Sequence, residues 1–335
     1  MEYWSCAAKN GQPYSYCGIS EMEVCCFIDY DEIDRSTKDI GNKTNISSGS
    51  KPKAIKNSTV LGKPEKNIKV DVNAGVECGK QRVAGNLDSI ARFQEWPWHV
   101  AILETVDDLY ICGGSLISPS RVLTAAHCIA SYTKTSPRLK IRAGEYDVST
   151  NGEPLPHVES VVTMIAMHPG FNNTTLENDI AILGLGRDLE YQDNILPICL
   201  PPADNPKPVS VSRVRRCVVT GWGRRNENSP HSIVLKEVIV PIWSPDDCEK
   251  KLKTSFGPDF KLPASSLCAG DEKRDACDGD GGGPLVCYTD DKWVQEGIVS
   301  FGIGCGRRES PGIYTKVSWF SSWIDAFLQN GVSNN

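Results

Sequence analysis

No stretch of this chain approaches the ~20 consecutive apolar residues that a membrane-spanning helix needs, so no helical anchor is expected within it. Basic residues are not in excess. Thirty-six Lys and Arg against 42 Asp and Glu leave a formal net charge of -6, which argues against a broad nucleic-acid surface, because phosphate recognition needs a basic face. There are only five histidines and no Cys-x-x-Cys pair, so the chain lacks the spacing of zinc-ligand clusters, and adjacent Cys25 and Cys26 chelate poorly. Aromatic residues are missing from 33–76. Residues 1–6 lack the basic start and apolar stretch of a secretion signal. The expectation is a signal already removed, or a Met that is not the natural start.

What is present starts with cysteine. Fourteen cysteines in 335 residues read as a disulfide framework and hence an oxidising compartment. Acceptor sequons at Asn42, Asn45, Asn57, Asn172 and Asn173 agree with export, and the first three fall in one short stretch. The length fits one large domain plus something small. Residues 1–32 hold Cys6, Cys17, Cys25 and Cys26 and are expected to form a small stapled module. Residues 33–76, rich in Lys, Asn, Ser and Thr, cannot bury a core and read as a flexible, glycosylated linker. From Cys78 onward, short strand candidates at 98–103, 139–143, 217–221, 237–243 and 293–301 alternate with Gly/Pro/Asn turns, the pattern of an all-β sandwich or barrel. Val317, Phe320, Ile324 and Phe327 recur at helical spacing and predict a C-terminal amphipathic helix.

Three short stretches carry the chemistry: Leu123-Thr-Ala-Ala-His127-Cys128, Asn178-Asp179-Ile180-Ala181, and Asp275-Ala-Cys277-Asp278-Gly279-Asp280-Gly281-Gly-Gly-Pro284. A lone histidine after two alanines is more often structural than catalytic. Together and in this order, the three resemble the His, Asp and Ser segments of the chymotrypsin/trypsin family, over about residues 78–330. The resemblance implies two six-stranded antiparallel β-barrels with a C-terminal helix, and protease-domain boundaries at 83–335 after a pro-segment tail at 77–82. It also implies the bridges Cys78–Cys199, Cys112–Cys128, Cys217–Cys287, Cys248–Cys268 and Cys277–Cys305. The four N-terminal cysteines are then left to pair among themselves, with three connectivities open.

The same resemblance assigns further roles. Cleavage between Arg82 and Val83 would free an amino terminus that buries against Asp280 and orders the neighbouring loop; a buried charge is tolerated when paired. Cleavage in the Lys-rich linker, at Lys53 or Lys66, is the alternative. Asp275 would form the base of a pocket for Arg or Lys, Gly302 and Gly312 its open walls, and Ser300 part of an extended peptide-binding edge. Gly279 and Gly281 would supply oxyanion-hole amides. Glu145 and Glu153 flank a loop that binds calcium in some relatives; two solvated loop acids explain them equally, and no cofactor is expected.

Gly281 stands where this family's nucleophilic serine belongs. Acyl transfer needs an oxygen nucleophile, a base within reach and a group orienting that base. His127 and Asp179 can serve as base and orienter, but glycine offers nothing to deprotonate. Residues 277–284 contain no hydroxyl. Glycine here, with Gly144-Glu145-Tyr146-Asp147 and Pro154-Leu-Pro-His157 upstream, resembles the arthropod clip-domain serine protease homologues. Clip modules also end in adjacent cysteines, as at Cys25 and Cys26, but usually hold six cysteines where residues 1–32 hold four.

The resemblance implies a secreted protein of haemolymph or venom, cut by an upstream trypsin-like protease. It would act as a non-catalytic cofactor in a cascade leading through prophenoloxidase activation to melanisation. Its partners would be protease zymogens or prophenoloxidase, and oligomerisation could follow cleavage. Two alternatives stay open: a venom-type decoy that blocks the same cascade, and a trypsin-like endopeptidase in which Gly281 is engineered or erroneous.

Overall fold

The computed structural model describes residues 12–16, 24–27, 75–85, 89–133, 138–202, 216–308 and 310–329. Asn42, Asn45 and Asn57, the linker up to residue 74, and the pairing of Cys6, Cys17, Cys25 and Cys26 lie outside the described residues. Near the N-terminus, strands β1 (Gln12–Tyr16) and β2 (Val24–Phe27) pair antiparallel, with Gln12 opposite Phe27.

The main body opens with β3 (His99–Glu104), β4 (Tyr110–Ser118) and β5 (Arg121–Thr124), then a one-turn helix α1 (Ala126–Ile129), and β6 (Leu139–Ala143), β7 (Val158–Met167) and β8 (Ala181–Leu185). These six strands close into a barrel in the order β3-β4-β5-β8-β7-β6. In β6, Leu139, Ile141 and Ala143 are buried while Lys140 and Arg142 are not, the period-two alternation of a strand with one face on a core. Leu103, Leu116, Leu123, Ile141 and Ile182 fill the inside.

The second half contains β9 (Cys217–Gly221), β10 (Lys236–Ile239), helix α2 (Pro245–Phe256), β11 (Ser266–Ala269), β12 (Pro284–Thr289), β13 (Lys292–Phe301), β14 (Gly312–Lys316) and helix α3 (Ser321–Gln329). Its sheet runs β10-β9-β12-β13-β14-β11. The terminal strands are joined not by a ladder but by a single bridge, Ile242 to Ala269, with Trp243 N–H donating to Cys268 O at 2.9 Å and Gly270 N–H to Pro241 O at 3.0 Å. The expected strand at 237–243 therefore ends early. Pro241 has no N–H to give a ladder, so the second barrel closes through one bridge beyond it.

Local chemistry accounts for the connections. Asp290 and Asp291 both take positive φ, 49° and 58°, as a two-residue hairpin between β12 and β13 requires. Helix α2 starts at Ser244, whose hydroxyl accepts from Asp247 N–H at 3.1 Å, with Pro245 in its first turn. The C-terminal pattern splits: Val317–Phe320 is a 3₁₀ turn, and α3 follows it. Val317, Phe320 and Ile324 are buried, so the apolar stripe docks as a helical pattern should. No described helix is long and apolar enough to cross a membrane.

Five disulfides tie the body together: Cys78–Cys199, Cys112–Cys128, Cys217–Cys287, Cys248–Cys268 and Cys277–Cys305. The first anchors the segment before Arg82 on the body. Gly79 N–H donates to Pro197 O at 2.8 Å, and Trp293 N–H to Gly79 O at 2.9 Å.

Candidate functional site

The seam between barrel and second sheet collects the residues that the sequence singles out. His127 sits on α1 directly after β5, and Asp179 lies directly before β8. Because Thr124 of β5 pairs with Ala181 of β8, the two side chains are delivered to one place. Asp179 is fully buried. Its Oδ1 accepts from His127 N–H at 2.8 Å, and its Oδ2 stands 2.7 Å from His127 Nδ1. Ser300 Oγ, on β13, donates to Oδ2 at 2.5 Å, and Thr315 Oγ1, on β14, donates to the Asp179 carbonyl at 2.7 Å. The carboxylate thus holds the His127 ring with Nδ1 toward Asp179 and Nε2 on the far side.

Nε2 faces Gly281. A Cβ placed on Gly281 would lie 3.4 Å from His127 Nε2 and 3.5 Å from Cys112 Sγ, ordinary van der Waals contact. The glycine is therefore not imposed by crowding at this position. The loop that carries it is pinned: Gly113 N–H donates to Gly281 O at 2.8 Å, Gly282 N–H to Val299 O at 2.9 Å, and Tyr110 OH to Gly279 O at 3.0 Å. Gly279 has φ of 91°, a conformation that glycine adopts without strain. Among the described residues neither the Gly279 nor the Gly281 N–H has a backbone acceptor.

Beside the loop lies a cavity of about 350 Å³, lined among others by His127, Asp275, Gly279, Gly281, Gly302 and Gly312. At its base, Asp275 Oδ2 accepts from Gly306 N–H at 3.2 Å, whereas Oδ1 is buried without a partner. Burial, reinforced by the charge of Asp280, pushes the Asp275 carboxyl up to about 7. A Cβ on Gly312 would lie 2.8 Å from Asp275 Oδ1, so a side chain there would press on the carboxylate at the cavity wall. A cluster of one nitrogen and two sulfurs, from His127, Cys112 and Cys128, lies nearby, but the sulfurs are bridged to each other and are not free as metal ligands.

Asp280, fully buried, accepts from Gly223 N–H and Cys277 N–H, each at 2.9 Å. It is also ion-paired to Lys236 Nζ. Lys236 was not among the residues the sequence singled out. One signal does mark it: with Glu237, it is charged inside the otherwise apolar run at 233–240. Arg82 is exposed, and its Nε lies 3.0 Å from Asp193 Oδ1. Val83 follows on a segment held by Arg92 Nη1, which donates to Ala84 O at 3.2 Å.

Glu145 and Glu153 do come together, but with Arg142 and His157 already against Glu145. Glu145 Oε2 is 3.3 Å from Arg142 Nη1 and 3.2 Å from His157 Nδ1. Burial raises the Glu145 carboxyl, yet His157 and Arg142 outweigh it and hold the group below its ordinary range. Glu153 is pushed the other way by burial and by the charge of Glu145. Two carboxylates with a guanidinium between the strands do not make the oxygen cage calcium prefers. Of the two nearby sequons, Asn172 spends its Oδ1 on Thr174 N–H at 2.9 Å, while Asn173 is exposed on the same loop.

The comparisons with known proteins agree with this geometry. The trypsin family pattern matches residues 89–324. Phenoloxidase-activating factor 2 of Galleria mellonella is 41% identical over 262 residues, which are 73% of this chain and 84% of that protein. Inactive CLIP domain-containing serine protease A3 of Aedes aegypti is 39% identical over 241 residues, 70% of this chain and 49% of that protein. Protein masquerade of Drosophila melanogaster is 39% identical over 251 residues, 74% of this chain but only 23% of that much longer protein. Strand order, the His127–Asp179 pair, the Asp275 cavity and these matches converge: the chain belongs to the trypsin family, alongside clip-domain serine protease homologues.

Proposed function

We propose that this protein is a secreted, non-catalytic protease homologue that regulates an extracellular immune protease cascade leading to phenoloxidase activation. One observation carries the reading. His127 Nδ1 stands 2.7 Å from Asp179 Oδ2 beside a cavity lined by Asp275, yet the position facing His127 Nε2 is Gly281, 3.4 Å away at its Cβ site. The site can bind and cannot form an acyl-enzyme. In proteases of this kind, loss of the nucleophile alone costs on the order of a millionfold in turnover.

Partner choice follows from the pocket. A cavity lined by Asp275, whose Oδ1 has no partner, favours an Arg or Lys side chain, as on the activation segment of a protease zymogen or on prophenoloxidase. The exposed Arg82 is the bond at which an upstream trypsin-like protease would act. Five disulfides in the body suit the oxidising extracellular space. Names among the relatives, a phenoloxidase-activating factor and an inactive CLIP protease, support this direction over the decoy or endopeptidase readings. Calcium has no place in the proposal, since Arg142 and His157 occupy Glu145.

The test is a reconstituted phenoloxidase cascade containing the active upstream protease, to which the protein is added uncut and cut. A rise in phenoloxidase activity supports a cofactor; a fall means a decoy. Hydrolysis of an Arg ester by the purified protein, abolished by His127→Ala, would overturn the non-catalytic reading.

A further inference from the structure

The family resemblance gives Asp280 a partner that exists only after cleavage, the freed amine of Val83. Here the Arg82–Val83 bond is intact, and Asp280 nevertheless is fully buried with its oxygens taken up. Two backbone amides, of Gly223 and Cys277, donate to it, and the ammonium of Lys236 completes the set. Lys236 is itself buried, its side chain 8% exposed. It arrives from β10, whose residue 236 pairs with Gly221 of β9.

This matters because a buried carboxylate without a countercharge is strongly unfavourable and would force the loop out into water. With Lys236 present, that penalty is met inside the uncut chain. The loop shows the consequence: Gly281 and Gly282 are hydrogen-bonded to the two sheets, and Val299 N–H donates to Gly283 O at 2.9 Å. The cavity above Asp275 is open. The field of Lys236 is also felt by its neighbours. Burial first and then this charge lower His99 to about 3. His231, lowered to about 4, feels burial first, then Arg224 and Lys236. Burial and nearby positive charge thus disfavour the charged form of both imidazoles, and the Lys236 ammonium is ion-paired to Asp280.

We propose that Lys236 serves as a built-in substitute for the freed amino terminus, so that the pocket accepts a basic side chain of a partner before any cleavage at Arg82. This rests on the reading of the cleft as a non-cutting receptor for Arg or Lys. Cleavage then controls something other than the pocket, with the segment before Arg82 still tethered through Cys78–Cys199, and a second cation from Val83 would compete with Lys236 for one carboxylate.

The experiment uses fluorescence titration of the full chain with p-aminobenzamidine. An Arg82→Gln protein, which cannot be cut there, is expected to bind within about threefold of the cut protein, since the competent population is already near unity. Lys236→Met in that uncut background is expected to weaken binding by about tenfold or more as that population falls, whereas Lys236→Arg keeps it. Should Lys236→Met fail to fold, the comparison of Arg82→Gln with cut protein still decides. Binding by the cut chain alone, or undiminished binding by a folded Lys236→Met, sinks the role of Lys236 and leaves the receptor reading intact. Absence of binding in both uncut and cut forms overturns the two together.

Discussion

His127 Nδ1 lies 2.7 Å from Asp179 Oδ2, so the base is held in its working orientation opposite a residue that cannot use it. The Cβ position of Gly281 is open, with contacts of 3.4 Å and beyond. Gly281→Ser is therefore expected to fold and to gain hydrolysis of an Arg ester. A rise of about a hundredfold or more over the unchanged protein is expected, because Asp179 already holds the His127 ring in place. The check is steady-state ester turnover; adding His127→Ala should remove the gain.

Protonation of Asp275 sets the pH dependence of binding. A cationic ligand takes the carboxylate, and the empty pocket holds that carboxyl up at about 7. Affinity for p-aminobenzamidine should rise by about tenfold per pH unit below that value and level off above it. Stability runs oppositely. A carboxyl raised on folding contributes most in acid, and that contribution is lost as pH rises from the ordinary carboxylate range through about 7. Titrations and thermal melts at several pH values, with and without ligand, read both; affinity that is flat with pH would place the ligand elsewhere.

Closing the pocket wall should abolish binding without unfolding the domain. A Cβ at residue 312 would sit 2.8 Å from Asp275 Oδ1. Gly312→Val is expected to lose p-aminobenzamidine binding by about a hundredfold, the order of a lost charge-assisted contact. Near-ultraviolet circular dichroism should be unchanged.

Arg142 occupies the loop that Glu145 and Glu153 flank. It also contacts Glu159 at 2.7 Å and Asp108 at 3.3 Å, so it binds the 139–159 region together. Arg142→Gln is expected to destabilise the domain by about 2–3 kcal/mol, since the buried Glu145 carboxylate loses its guanidinium partner. Calcium should not shift the melting temperature of the unchanged protein. A calcium-dependent rise in that temperature would show that the ion displaces the guanidinium.

Much of this site is legible in the sequence because its parts are short and contiguous. His127 next to Cys128, Asp179 before an apolar strand, and the glycine run around Gly281 each carry their identity within a few residues. The same holds for the β6 alternation and the helical spacing from Val317 to Ile324. Strand ends read less well: Pro241 stops β10, and the missing donor matters only because another strand would otherwise need it.

Residue order alone determines that position 281 has no side chain, and hence no nucleophile, and that the chain is rich enough in cysteine to be stapled. Tertiary structure alone decides which charges meet. Lys236 and Asp280 are 44 residues apart, as are no residues of any local motif, and Arg142 reaches Glu145 rather than leaving it for a metal. The physical reason is that sequence patterns report local backbone preference and burial, whereas the pairing of a buried charge depends on which strands close around it.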